Sequence, residues 1–220
     1  MSTVRSAAIE EDTLAELVHE LGDIPLERIL LRPPPGTATA KDVLAALAAP
    51  RKRICELIDG VLVEKAMGFR EFVLGAVLTR LLHEFVSRHK LGLVAGSDGI
   101  ITLWRGRLRA PDVCFVSWDR LPGRRMPEKA FPKVAADLTV EVLSRSNTRK
   151  EMLKKRQDYF KMGVRLAWEV DPVNRTVSVY ESASEPIAIL AEKDTLSGAP
   201  VLPGFKPPLR ELFAELDRHG

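Results

Sequence analysis

The chain has 220 residues, 33 Lys and Arg against 30 Asp and Glu, a formal net charge of +3 and two cysteines. An apolar fraction of 45% with nearly balanced charge excludes a disordered chain, and two cysteines are too few for a disulfide framework or a cysteine-based zinc cluster. No apolar run approaches the roughly 20 residues of a membrane span, and the acidic, amphipathic start has no signal core, so a cytoplasmic protein without a membrane partner is expected.

In chain order, Leu14, Leu17, Val18 and Leu21 have helical spacing and predict a helix over 10–21. Pro33, Pro34 and Pro35 break the chain, and Thr39 is placed to cap a helix over 41–48. Residues 1–50 therefore read as a helical N-terminal extension before a domain spanning 51–220. Residues 54–65 read as a hairpin around Asp59-Gly60, because glycine tolerates the positive φ of a tight turn. The longest periodic helix is 69–89, with Phe72, Val73, Ala76, Val77, Leu81 and Phe85 as its expected buried stripe. Strands are expected at 91–95 and 100–104, on either side of a Ser97-Asp98-Gly99 turn, and again at 113–118. A basic connection over 119–136 leads to a strand at 138–143 and a helix at 148–162, stopped by Gly163. Strands at 164–170, 175–180 and 187–191 and a helix at 209–216 complete the chain. The order is α/β with a mixed β-sheet flanked by helices. It is not a regular βαβ alternation, and no glycine-rich phosphate loop is present.

Charge is unevenly distributed. Residues 104–133 hold eight basic residues against three acids, and residues 145–165 hold eight against two. The two segments flank the apolar run 138–143, so together they would form a basic face of the kind that holds phosphate backbones.

Three carboxylates lie in apolar strand contexts: Glu56 in ICELI, Asp112 in APDVCFV and Glu141 in DLTVEVL. A buried carboxylate is costly unless paired, protonated or metal-bound. Strand alternation alone would turn Glu56 to solvent, and Asp112 could be a turn residue after Pro111. Glu141 fits exposure least, since Leu138, Val140, Val142 and Leu143 suggest burial on both faces. Three such acids suggest hard oxygen ligands for Mg²⁺ or Mn²⁺. Lys155 shares a helix face with Met152 and Tyr159 and can reach Glu141, whereas Lys154 lies next round and is expected in solvent. The four histidines have no metal spacing, and the three tryptophans read as packing residues. Cys55 and Cys114 are expected on the strand faces opposite the acids, as small buried hydrophobes.

The ordered series ELIDGVLVEK, RAPDVCFVSWDRLP, the run from Asp137 to Tyr180 and DTLSGAPVLPGF resembles the Uma2 family of restriction-endonuclease relatives, over roughly 50–215. That family is similar in fold to the PD-(D/E)XK nucleases. The resemblance implies that Asp112 and Glu141 are metal ligands with the Val142 carbonyl, and that Glu56 binds the metal directly or through water. The superfamily lysine normally follows two residues after the second acid. Leu143 stands there instead, and the resemblance transfers the role to Lys155. A histidine that many relatives carry near the start of the long helix is absent, and Asp137 reads as structural. The implied activity is Mg²⁺- or Mn²⁺-dependent endonucleolytic cleavage of DNA by Glu56, Asp112, Glu141 and Lys155. Arg107, Arg109, Arg145, Arg149 and Lys154 would hold the backbone, and a homodimer would cut both strands. Two rival readings are a catalytically inactive nucleic-acid-binding module and an assembly module built on the N-terminal arm.

Overall fold

A computed structural model describes residues 13–66 and 68–219; the predicted helix start at 10–12 lies outside them. The elements are α1 (Leu14–Leu21), β1 (Ile29–Leu30), α2 (Ala40–Ala48), β2 (Cys55–Ile58), β3 (Val61–Glu64), α3 (Phe69–Arg88), β4 (Gly92–Ala95), β5 (Ile101–Trp104), β6 (Arg107–Arg109), β7 (Val113–Ser117), β8 (Leu138–Val142), α4 (Arg149–Met162), β9 (Leu166–Asp171), β10 (Thr176–Tyr180), β11 (Ala188–Ala191) and α5 (Leu209–Phe213). They form two sheets. One is antiparallel, ordered β1-β3-β2-β6-β5; the other is mixed, ordered β11-β10-β9-β8-β7-β4, with β8 and β9 parallel. The β8–α4–β9 crossover supplies that parallel pair, as such a pair requires.

Local chemistry accounts for most boundaries. Thr13 and Thr39 form capping boxes with Glu16 and Asp42, and Thr148 caps α4 by accepting from the Glu151 N–H. Asp59 and Gly60 both have positive φ between paired Ile58 and Val61, the geometry of a two-residue hairpin turn. A Cβ on Gly60 would also lie 2.4 Å from the Gly36 backbone, so the turn seats against the proline-rich loop only as glycine.

Alternation then assigns two faces to the mixed sheet. Val113, Phe115, Leu138, Val140, Leu166 and Trp168 pack against α3 and the C-terminal segment. Cys114 and Val116 face the other way, in a cluster with Tyr159, Ile101 and Leu103. Cys114 thus lies on the α4 side of the sheet, contrary to expectation, because it is two residues from Asp112 and keeps its parity. Asp137 is structural: Ser117, Arg120 and Arg165 all donate to its carboxylate.

The strands expected on either side of the Ser97–Gly99 turn both form, in different sheets, β4 pairing with β7 and β5 with β6. One other expectation changes. The buried stripe of α3 is Leu74, Leu78, Leu82 and Val86, while Phe72 is 54% exposed. Apolar residues occur nearly all round this helix, so periodicity alone left its facing open.

The N-terminal segment is bound into the fold. β1 pairs with β3, and Leu17, Leu21 and Ile24 pack on Ile58, Val61 and Val63. Arg28 forms a buried two-pronged pair with Glu151 of α4, at 2.9 and 2.6 Å. The Thr148 hydroxyl donates to the Gly22 carbonyl. These contacts fix the N-terminal end of α4.

The two helix registers predict different stabilities. Leu78→Ala should cost about 2–5 kcal/mol in chemical denaturation, and Phe72→Ala less than about 0.5 kcal/mol. Arg28→Ala strands Glu151 in the interior and should cost about 3–5 kcal/mol in the same assay.

Candidate active site

Helix α4 lies between the two sheets and turns a polar face inward. Glu151, Lys155, Asp158 and Tyr159 are all buried, at the spacing of one helix face. Opposite them stand Glu56 on β2 and Arg109 on β6 from one sheet, and Asp112 and Glu141 at β7 and β8 from the other.

Lys155 joins the two sides. Its Nζ donates to Glu141 Oε2 at 2.9 Å and lies 3.3 Å from Glu56 Oε1. The Tyr159 hydroxyl donates to Glu141 Oε1 at 2.5 Å. Glu56 accepts from Arg109 Nη1 at 2.7 Å and from the Ala110 N–H at 3.1 Å. Arg109 donates also to Asp158 Oδ2 through Nε and Nη2. Asp112 Oδ2 accepts from the Val142 N–H at 2.6 Å, and its Oδ1 lies 2.9 Å from Lys65 Nζ. Asp112 is therefore clamped to the end of β8 beside Glu141.

Burial and pairing set the protonation states. Burial opposes ionisation of Glu56, but Lys155 and Arg109 hold its carboxyl well below the usual range. Burial pushes Glu141 up to about 7; Lys155 pulls against this and the Asp112 charge adds to it. Burial disfavours the Lys155 ammonium, yet Glu141 and Glu56 hold its pKa well above that of an ordinary lysine. Burial leads the rise of the Tyr159 hydroxyl, which stays a donor.

Of the four expected catalytic residues, Lys155 joins Glu56 and Glu141 directly, and Asp112 is held at Val142, next to Glu141. Glu56 does not face solvent: it is 1% exposed, because its strand is covered on both sides. Its oxygens face Arg109, Ala110 and Lys155, so in this structure it anchors Lys155. Two expected backbone contacts are also corrected. Arg109 is buried as a counterion of Glu56 and Asp158, and Arg107 is half-buried and already pairs with exposed Asp59 and with Asp158. Lys154 reaches Glu20 of α1. Arg145 and Arg149 are exposed, and among the described residues neither is in an ion pair. Arg145 lines two cavities beyond the Glu141–Val142 end of β8. One of about 340 Å³ includes Arg70, Glu71 and Ser144, and one of about 780 Å³ includes Arg149, Asn147 and Tyr180.

Lys65 was not singled out from the sequence. Its one signal is position, two residues after the buried run Val61–Val63. The pairing of Arg109 with Asp158 is not legible in the sequence, because the two residues are 49 apart.

Two sheets around a helix, with an Asp and a Glu on adjacent strands against a helix lysine, define a restriction-endonuclease-like α/β protein. The chain belongs to the Uma2 family, described as "Putative restriction endonuclease", whose model matches residues 42–212. A crystal structure from Anabaena variabilis ATCC 29413, described as a putative nuclease belonging to DUF820, is similar in fold. Its TM-score is 0.65 at 22% identity, with 77% of this chain and 96% of that chain covered. No curated protein matches the chain. Among the described residues no helix is long and apolar enough to cross a membrane.

The raised pKa of Glu141 gives a signed prediction. A group whose folded pKa lies above its unfolded value stabilises the fold at low pH, and that contribution is lost as pH rises through the folded value. In EDTA, the stability of Glu141→Gln relative to wild type should therefore rise as pH increases from about 5 to about 8. Thermal melts of the two chains across that range check it.

Proposed function

We propose that the protein is a divalent-metal-dependent endonuclease that hydrolyses phosphodiester bonds of DNA. The observation that carries the reading is the buried Glu141–Lys155 pair with Asp112 held to Val142, the residue next to Glu141, from two strands and a helix. Family membership supports the nuclease class.

The donor set suits Mg²⁺ or Mn²⁺. Asp112 and Glu141 are hard oxygen donors on adjacent strands, and the negative charge each presents to the other favours a cation beside them. Among the described residues no three acidic, His or Cys side chains form a ready-made cage. Mg²⁺ needs none: it is commonly held by one or two carboxylates, keeps several waters and takes phosphate oxygens from the substrate. The Val142 main-chain carbonyl is the third protein donor in this reading. Once bound, the cation supplies charge to the phosphate and lowers the pKa of a coordinated water.

The chain's own residues do the rest. Glu141 and Glu56, the latter fixed by Arg109, hold Lys155 charged beside the acid pair, where the ammonium orients the attacking water and stabilises charge on the pentavalent phosphate. The Tyr159 hydroxyl fixes the Glu141 carboxylate in place. Arg145 and Arg149, free at the cavity rims, contact the DNA backbone.

One observation favours a second reading, a non-catalytic nucleic-acid-binding module: each carboxylate oxygen of Glu56, Asp112 and Glu141 already faces a protein donor. Incubation of plasmid and single-stranded DNA with Mg²⁺ or Mn²⁺ separates the two. Cleavage by wild type, abolished in Glu141→Ala with the fold retained by circular dichroism, supports the enzyme. Binding without cleavage of any DNA form supports the module. In either case Arg145→Ala and Arg149→Ala should each reduce the slope of log affinity against log salt by about one, for all sequences alike.

A further inference from the structure

Among the described residues, Lys65 is the one buried cation touching the proposed metal ligands that neither the family pattern nor the proposed chemistry uses. It follows β3 directly, and its side chain is 2% exposed. Its Nζ lies 2.9 Å from Asp112 Oδ1 and donates to the Ser97 carbonyl at 3.2 Å. The other Asp112 oxygen is held by the Val142 N–H. The ammonium therefore stands on the Asp112 oxygen that the main chain leaves open. We propose that Lys65 is a built-in competitor for the divalent cation, an ammonium that occupies Asp112 in the metal-free protein and must give way when the metal binds.

The inference rests on the reading of Asp112 as a metal ligand. Its physics is simple. A buried carboxylate beside a second one needs positive charge. Lys65 supplies that charge, so the acid pair is tolerated without metal. An ammonium and a divalent cation on the same carboxylate repel strongly in a site of low dielectric. Metal uptake must therefore displace the ammonium from Oδ1. The Ser97 carbonyl gives Lys65 a second partner to retain when it does. The consequence is a protein that folds without metal and binds it more weakly than its acids would allow.

Calorimetric titration of Mn²⁺ into the full chain tests this, with Lys65→Gln, Lys65→Arg and Lys41→Gln alongside wild type. Lys41 is exposed on α2 and gives the effect of losing a remote positive charge. Lys65→Gln should bind Mn²⁺ about tenfold tighter or more, and Lys65→Arg and Lys41→Gln should stay near wild type. Thermal melts supply the second readout: Lys65→Gln should melt below wild type in EDTA, and millimolar Mn²⁺ should restore it. If Lys65→Gln fails to fold in EDTA, recovery of the fold on adding Mn²⁺ supports the inference and failure to recover overturns it. Equal or weaker Mn²⁺ affinity in Lys65→Gln overturns the role of Lys65 and leaves the metal reading standing. Absence of Mn²⁺ binding in both wild type and Lys65→Gln overturns both.

Discussion

The contact on which the site depends is the one between Lys155 and two carboxylates that belong to different sheets. Glu56 comes from the antiparallel sheet and Glu141 from the mixed one, and the lysine of the helix between them touches both. Buried ion pairs are weak sources of stability, because desolvation offsets their attraction. Their value here is positional. An apolar residue at 155 could fill the same volume but would leave Glu141 without its ion-pair partner and Glu56 with Arg109 alone. The pairs around it extend the constraint: Arg28–Glu151 and Thr148–Gly22 tie down one end of α4, and Arg109 fixes Glu56 and Asp158 together.

This use of charge changes the meaning of the two basic segments. Their excess suggests a phosphate-binding face, yet Arg107, Arg109, Arg120, Lys155, Arg156 and Arg165 all pair with acids, most of them buried. A large part of the excess is internal counter-charge for Glu56, Asp137, Glu141, Asp158 and Glu169. What is left for a polyanion on the site side is narrower, centred on Arg145 and Arg149 at the cavity rims. Arg156 shows the same economy: it pairs with Glu169 while its guanidinium stacks over Tyr180 at 4.2 Å.

Local features were legible in the sequence because local chemistry sets them. The Asp59-Gly60 turn, the threonine caps and the Gly163 stop each depend on a few adjacent residues. Glu141 stood out for a related reason, as a lone acid in a strand apolar on both sides. Lys155 followed from helix spacing. Facing and partnership were less legible. The strands on either side of the 97–99 turn are legible, but their partners, β7 for β4 and β6 for β5, are not. Phe72 and Leu74 are equally apolar, and only the mixed sheet beneath α3 selects Leu74. Arg109 and Lys65 read as surface charges until the acids opposite them are in place.

The central claim is that the buried network assembles Asp112 and Glu141 into a cation site with Lys155 beside it. Crystals of the protein soaked in Mn²⁺, measured at the manganese absorption edge, test it most directly. The account predicts an anomalous peak bonded to oxygens of both Asp112 and Glu141, with Lys155 still held by Glu56. Manganese bound elsewhere, or an Asp112–Glu141 pair that stays empty of manganese with Lys65 in place at saturating Mn²⁺, would contradict it.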